Sequence, residues 1–560
     1  MGTGYYLTIL ISLSIYSPKK KDNSITLKGY GVMQRCGVTM KKKIEENLKY
    51  IIEEIGFTDI EPKILKSQEE KFGDYTTNIA FLLSKKMKRN PMEVANEIVQ
   101  KIDTEGIDKI EVVNGFINIF LKKEVFQKNL ENTLKEDYGN SYGKGKKINV
   151  EYVSANPTGP LHVASARAAT YGDTLVNLFR FKGYIADSEY YINDGGGQVE
   201  LLKESVIARM KELKGEKVQF PEGGYLGDYI IDIAKEVMKR NIEDVKKFAV
   251  DYILNMQKKT LERFGTNFNN FVSEKWIRET KRIEEFIERL KRMGKIFEKD
   301  NAFLFKGERE RVFIKSDGSY TYIVPDIAYH IYKYERGYEH LIDLLGPDHI
   351  AHIPDLRIAL KDLGYPEDVE VIIVQWVHLL KDGVVLKMSK RAGSFIGMDE
   401  LIDEVGVDPA RFFFMMRDVS TPMEFDINLA KEQSLKNPVY YVQYGHARIC
   451  SLIEYAERKG FKELNFENIN MLNDDEEIKI LKELYFFPEF LDDVLNNRTL
   501  HLLTSFLINL SSLYHNFYQK KRIVDGEKEK IVPRLLLSKG FKNVIRITLN
   551  LMGVGAPERM

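Results

Sequence analysis

From residue 40 onward the chain switches between two hydrophobic periods, and the switches outline three blocks. MKKKIEENLKYIIEEIG sets Ile44, Leu48, Ile51, Ile52 and Ile55 on one helical face, and Gly56 stands where a C-cap glycine would. A second amphipathic helix opens at Pro91 and carries Met92, Ala95, Ile98, Val99 and Ile102. EVVNGFINIF, 111–120, reads as two strand pieces around Asn114-Gly115. The glycine- and lysine-rich YGNSYGKGKK closes this mixed α+β block, 40–144.

In the second block, 145–398, the alternating INVEYVSA predicts a strand, 162–182 a helix stopped by Gly183, and YIADSEYYIND the next strand. This is a βαβ unit of a doubly wound, Rossmann-like parallel sheet, so the fold class is α/β. The apolar runs HLIDLLG and VEVIIVQW suit strands buried on both faces. A charged helical stretch, about 199–292, reads as an insertion. The third block, 399–560, shows no strand signal. Runs such as LLTSFLINLSSLYHNFY recur at helical spacing and predict an all-α module.

Composition narrows the class. At 560 residues, 44% hydrophobic and 30% charged, the chain suits a soluble protein of several domains. Its 83 basic and 83 acidic residues leave local basic patches for nucleic acid open. Cys36 and Cys450 alone supply neither a disulfide framework nor a cysteine zinc site, which fits a reducing, cytoplasmic setting. The apolar run 5–16 is too short to span a bilayer. Residues 1–39 read as a disordered or misassigned extension, and the working protein is expected to begin near Met40.

Two segments carry chemistry. In EYVSANPTGPLHVAS, 151–165, Pro157, Gly159 and Pro160 shape a turn at the carboxyl end of a strand, where ligands of open α/β sheets sit. Gly159 allows close backbone approach, and His162 opens the next helix, whose free N–H groups and dipole favour a phosphate. In LKMSKRAGSF, 386–395, Lys387, Lys390 and Arg391 suit a polyphosphate whose charge grows as a bond breaks. Alone, the first is an ordinary strand–helix loop and the second a solvated basic turn. Their pairing across one doubly wound domain favours a nucleotide clamped from two sides.

SANPTGPLH, YYIND, KSDGSYTY, DIAYH, LKMSKRAG, DPARFFF, NPVYYVQYGHARI and LMGVGAPERM follow one another in order. With them the chain, from about 40 to 560, resembles a class I aminoacyl-tRNA synthetase, most closely a bacterial-type arginyl-tRNA synthetase. The resemblance implies activation of L-arginine by ATP to the adenylate, then transfer to the 3′-terminal adenosine of tRNA(Arg), with no covalent enzyme intermediate. Mg²⁺ would travel with ATP, and no tightly bound metal or membrane contact is expected; a cytoplasmic monomer is. His162 would contact ATP phosphate, with Pro157 and Gly159 beside it. Lys387 and Lys390 would neutralise the leaving pyrophosphate, with Met388 and Ser389 in the same loop. Gly346, Asp348 and His349 would lie near the ribose.

A guanidinium is best held by carboxylates that accept paired N–H bonds. The resemblance gives that role to Asp326, Tyr322 and Glu274. It gives the substrate's α-amino and carboxylate ends to Glu151 and Asn156, with Ser154 and Gln198 in the same pocket. Read by itself, Asp326 is equally a helix N-cap before IAYHIYKYE. The third block resembles an anticodon-binding domain, with Tyr444, Tyr518 and Met560 as tRNA contacts, although core packing serves the two tyrosines as well. Phe72 and Asn78 match a tRNA-contact region of the first block.

The chain departs from the family's pattern at two places. Where His-x-Gly-His is usual the chain reads His162-Val163-Ala164-Ser165, and GPDHIAH carries Ile350 and Ala351 where histidine and glycine are common. Losing one transition-state donor can cost about 3 kcal/mol, or roughly 10²–10³ in rate. Three readings therefore stand: an arginine–tRNA ligase with Ser165 still donating, a tRNA-binding paralogue without catalysis, and a class I ligase for another amino acid.

Overall fold

A computed structural model describes residues 39–141, 145–386, 397–462 and 464–560. Contacts divide the chain into two compact units that meet at Lys122/Lys123. In the first, the helix Met40–Glu54 is capped by Thr39 and buries Ile44, Leu48, Ile51 and Ile52. A four-stranded antiparallel sheet runs in the order Leu65–Lys66, Tyr75–Thr77, Phe116–Leu121, Ile107–Val113. Its hairpin turns at Asn114 and Gly115, both at positive φ, as a two-residue Asn-Gly turn requires.

The second unit is built on five parallel strands: β1 Lys147–Glu151, β2 Ile185–Ile192, β3 Asn270–Ser273, β4 His340–Leu345 and β5 Val369–Ile373. They lie in the order β5-β4-β1-β2-β3, so the chain reverses direction across the sheet beside β1. The crossover from β1 to β2 is the helix Val163–Phe181. It packs closely because Gly172 has no side chain: a Cβ there would stand 2.2 Å from the Tyr152 ring. The helix Ile323–Glu335 covers the sheet near β4 and joins a core with Leu341, Leu356 and Val369.

Three elements differ from the sequence expectation. The stretch 199–292 holds the helices Gly197–Leu213, Asp228–Arg240 and Val245–Arg263, but also the edge strand β3. The third block contains the strand Met423–Asp426, which pairs in parallel with Val377–Lys381. Four-residue strands such as NFVS and MEFD are too short to show a period of two. Lys123–Thr133, which the sequence groups with the first block, packs instead on Asp475–Asn497 in the second unit. From Pro438 onward the rest is helical, with Pro438–Arg458, Asp475–Asn497, Leu502–Lys520 and Lys528–Leu551 packed together. Among the described residues no helix is long and apolar enough to cross a membrane.

Candidate active site

The parallel register sets three carboxylates side by side. Asp343 on β4 stands opposite Glu151 at the end of β1, and Glu151 opposite Glu189 on β2. All three are buried. Like charges at this spacing need cations, and the Ile323–Glu335 helix supplies them from one face. Lys333 Nζ lies 2.7 Å from Glu151 and 2.8 Å from Asp343. The Tyr329 hydroxyl donates to Glu189 at 2.7 Å, and Arg336, just past the helix, reaches the same carboxylate at 2.6 Å.

His330 extends the row toward the surface. Its Nε2 lies 2.8 Å from Asp343, and its Nδ1 is 2.8 Å from the Asp326 carbonyl and 3.3 Å from the Asp326 carboxylate. Both ring nitrogens face acceptors, so both carry protons. Burial opposes the charge, but Asp343 and Asp326 prevail and push the imidazole up to about 10. Burial would likewise raise Asp326 and Asp343; the cations outweigh it, holding Asp326 far below the carboxylate range and Asp343 at about 2. At Glu151, burial outweighs Lys333 and shifts the carboxyl upward.

Asp326 is not an N-cap. The helix begins three residues earlier, and the carboxylate is shared between His330 and His352, whose Nε2 is 3.2 Å away. Its side chain keeps 26% of its surface, beside Tyr322, which is 64% exposed and edge-on to the His352 ring. Glu274, by contrast, is buried and held by Arg278 at 2.6–2.7 Å.

The turn after β1 is held from several elements. Val153 and Ser154 both adopt positive φ, which aims the Ser154 hydroxyl at Glu151 (2.9 Å), where it also accepts from the Tyr191 N–H (3.0 Å). Asn156 donates to Gln198 at 2.8 Å, joining two residues the sequence assigned to one pocket. Gln257, on the inserted helix, donates to the Asn156 and Gly159 carbonyls, and Tyr229 to that of Thr158. The close approach at Gly159 is Tyr229: a Cβ there would meet its hydroxyl at 3.0 Å.

His162 is itself the N-cap of Val163–Phe181. Its Nδ1 accepts the Ala164 N–H at 3.1 Å, which assigns the proton of the neutral ring to Nε2. The Ser165 N–H donates to the His162 carbonyl at 2.8 Å. Lys387, Met388, Ser389 and Lys390 lie outside the described residues, as does the His349 side chain. The flanks of that loop are described. Leu386 is hydrogen-bonded to Leu379 beside the hairpin strands Val377–Lys381 and Val384–Val385, and Gly397 forms a bridge with His162 while Met398 donates to Leu161. Gly397 and Met398, the first described residues after position 396, thus lie beside the His162 cap. Gly346 ends β4 and starts the turn Pro347–His352, which carries an exposed Asp348.

Residues 39–121 match the arginyl tRNA synthetase N terminal domain, 127–418 the class I (R) tRNA synthetase catalytic domain, and 442–560 the DALR anticodon binding domain. The arginine–tRNA ligase of Thermotoga petrophila is 41% identical across 93% of this chain and 99% of its own length. That of Aquifex aeolicus is 38% identical across 93% and 100%. The chain belongs to the class I arginyl-tRNA synthetases. The structure of the Thermus thermophilus arginyl-tRNA synthetase covers 93% of this chain and all of its own with a TM-score of 0.76; at 20% identity the likeness is one of fold.

The residues expected to meet tRNA in this arginyl-tRNA synthetase are scattered over both units. Phe72 is half-buried at the end of a 3-10 turn under Lys71, and Asn78 is exposed at the start of the helix Ile79–Met87. Tyr444 lies parallel to Tyr440 and His515, and Arg448 lies over the Tyr518 ring at 4.1 Å. Met560 is 54% exposed. Sequence reasoning missed Lys333, His330, Asp343, His352 and Tyr191. Tyr191 packs on Tyr329 with the rings tilted; burial and the charges of Glu274, Asp326 and Glu151 raise its hydroxyl pKa, which places it among those carboxylates.

Proposed function

We infer that the chain is an arginine–tRNA ligase whose chemistry runs at the carboxyl edge of β1 and β4. One observation carries the residue assignments. The cluster shares two cations, Lys333 and the His330 imidazolium, among the three carboxyl groups of Glu151, Asp343 and Asp326, and Asp326, held far below the carboxylate range, is the ionised one at its open end. Buried charge of one sign calls for a cation, and arginine brings a net positive one. In this reading the guanidinium binds Asp326 and Tyr322, while Glu151, Ser154 and the Asn156–Gln198 pair hold the α-amino and carboxylate ends. Glu274 acts at one remove, since Arg278 already occupies its carboxylate.

MgATP is the second substrate. His162 Nε2–H donates to its phosphates, and the ribose lies by Gly346, Asp348 and His349. Lys387 and Lys390 neutralise the departing pyrophosphate, with Met388 and Ser389 lining the same loop. The arginine carboxylate attacks the α-phosphorus, pyrophosphate leaves, and the acyl group passes to tRNA(Arg). The enzyme positions these groups and balances charge. The two backbone bonds that hold His162 need only main-chain N–H groups at 164 and 165, so Ala164 and Ser165 leave them intact; this favours a working enzyme over a binding-only paralogue. Tyr444, Tyr518, Met560, Phe72 and Asn78 contact the tRNA, and the enzyme acts as a cytoplasmic monomer.

Aminoacylation of total tRNA with labelled arginine tests this reading, with His162→Ala and Asp326→Asn as controls. Charging that is lost in both variants supports it. No charging by the parent, with tRNA binding retained, overturns it.

A further inference from the structure

Glu151 and Asp326 come from different elements, one from the end of a strand and the other from the first turn of a helix. Nothing in either element fixes the distance between them. The connection runs through one buried residue of β4. Asp343 gives one carboxylate oxygen to Lys333 and the other to His330, each at 2.8 Å. Lys333 goes on to Glu151, and His330 to Asp326. Lys333 is fully buried and His330 is 2% exposed, so neither has room to swing. Tyr329, next to His330 in sequence and one helical turn before Lys333, packs under the Lys333 ammonium at 4.4 Å and is pinned by Glu189.

We propose that Lys333 and His330, joined through Asp343, fix the separation of Glu151 and Asp326 and thereby set the length of amino acid that the site accepts. The inference rests on the reading that these two carboxylates take the two ends of arginine. Lys333 and His330 are positioning residues, since each acts on the substrate only through a carboxylate. A rigid spacer rejects a guanidino acid one methylene shorter or longer, because one end then loses its partner. A loose spacer lets the carboxylates follow the ligand.

The experiment is tRNA-dependent ATP–pyrophosphate exchange with arginine, homoarginine and 2-amino-4-guanidinobutanoate, on the full chain and on Lys333→Met and His330→Gln. One methylene is ordinarily worth about 10–200-fold in kcat/KM. The expected result is that arginine KM rises, ATP KM holds, and the preference for arginine over both homologues shrinks by roughly tenfold, while Lys333→Arg restores much of it. Preference ratios equal to the parent's in folded Lys333→Met and His330→Gln overturn the proposal. If Lys333→Met does not fold, His330→Gln decides alone. Asp326→Asn separates the two levels of argument. An unchanged arginine KM there sinks the pocket reading itself, whereas a raised KM with unchanged preference in the spacer variants sinks only the spacer.

Discussion

At Arg411 a guanidinium with no exposed surface is ringed by four acceptors from three parts of the second unit: the Met552 carbonyl, the Phe264 carbonyl and Thr266 hydroxyl, and the Asp173 carboxylate. Gly553, at positive φ, makes room for it, since a Cβ there would fall within bonding range of the guanidinium. One cation meets one anion, and the cluster is closed. The Glu151–Asp343–Asp326 row is as well hydrogen-bonded, yet it has three carboxyl groups for two cations and ends at a partly exposed carboxylate. Similar chemistry thus serves two ends. A balanced and sealed cluster joins segments of chain, while an unbalanced one that opens at the surface waits for a ligand.

Breaking the closed cluster should produce the largest effect, and on stability alone. Arg411→Met strands Asp173 and two carbonyls, which costs about 3–5 kcal/mol. Chemical denaturation should show that loss, with arginine KM unchanged in the molecules still folded. Breaking the open cluster should do the reverse. Asp326→Asn removes a partner of a charge pair worth about 2–5 kcal/mol, or roughly 30- to 5,000-fold in kcat/KM for arginine. The melting temperature should fall less than in Arg411→Met, because His330 keeps Asp343 as a partner. A large stability loss at Asp326, or a KM effect at Arg411, would erase the contrast.

The pH dependence of stability sharpens the comparison further. His330 titrates near 10 when folded and 6.5 when unfolded, so its contribution is complete below pH 6.5 and disappears as pH rises through about 10. Between those values the folded protein holds a proton that the unfolded chain has released, and stability should fall by up to about 1.4 kcal/mol per pH unit. Asp343 acts at the other end: its contribution is complete above 3.8 and disappears as pH falls through about 2. Urea titrations across pH 6–10 should show the alkaline slope, and His330→Asn should flatten it. A slope that survives the substitution assigns it elsewhere.

The sequence shows unequal parts of these clusters. The β1–helix–β2 unit was legible to within a few residues, because an alternating run, a Pro-Gly turn and a glycine stop are local signals. The family likeness put Asn156 and Gln198 in one pocket, but the hydrogen bond between them is seen only in the fold. The carboxylate row was not legible. Asp343, Glu151 and Glu189 are neighbours only through strand register, which no local pattern specifies. A signal did exist. Asp343 interrupts the apolar run HLIDLL, and His330 and Lys333 sit in a helix otherwise rich in buried apolar side chains. Charged residues at positions that packing should bury need partners, and that demand pointed to one another. Arg411 lacked even that signal, since all four of its partners are contributed by residues more than a hundred positions away that only the fold brings near.

The smallest expected effect tests whether the open cluster is held under strain. Val153 is β-branched yet has φ of +69°, and the Ser154 N–H donates back to the Tyr152 carbonyl at 2.9 Å, closing a three-residue turn of the rare kind. Such a conformation costs about 1–3 kcal/mol and persists only where its surroundings impose it. Here they do, because the turn is what delivers the Ser154 hydroxyl to both Glu151 and Tyr191. Val153→Gly should recover about 1–2 kcal/mol of strain and give back about 0.5–1 kcal/mol through the more flexible unfolded chain, for a net gain near 1 kcal/mol or less. With the turn no longer restricted, Ser154 should hold Glu151 less firmly, and kcat/KM for arginine should fall by roughly tenfold or less. Denaturation midpoints and exchange kinetics on the same preparation read both quantities. A gain in stability without loss of activity would show that the hydrogen bonds alone position Ser154. A loss of both would show that the valine side chain, rather than the backbone it strains, holds the turn.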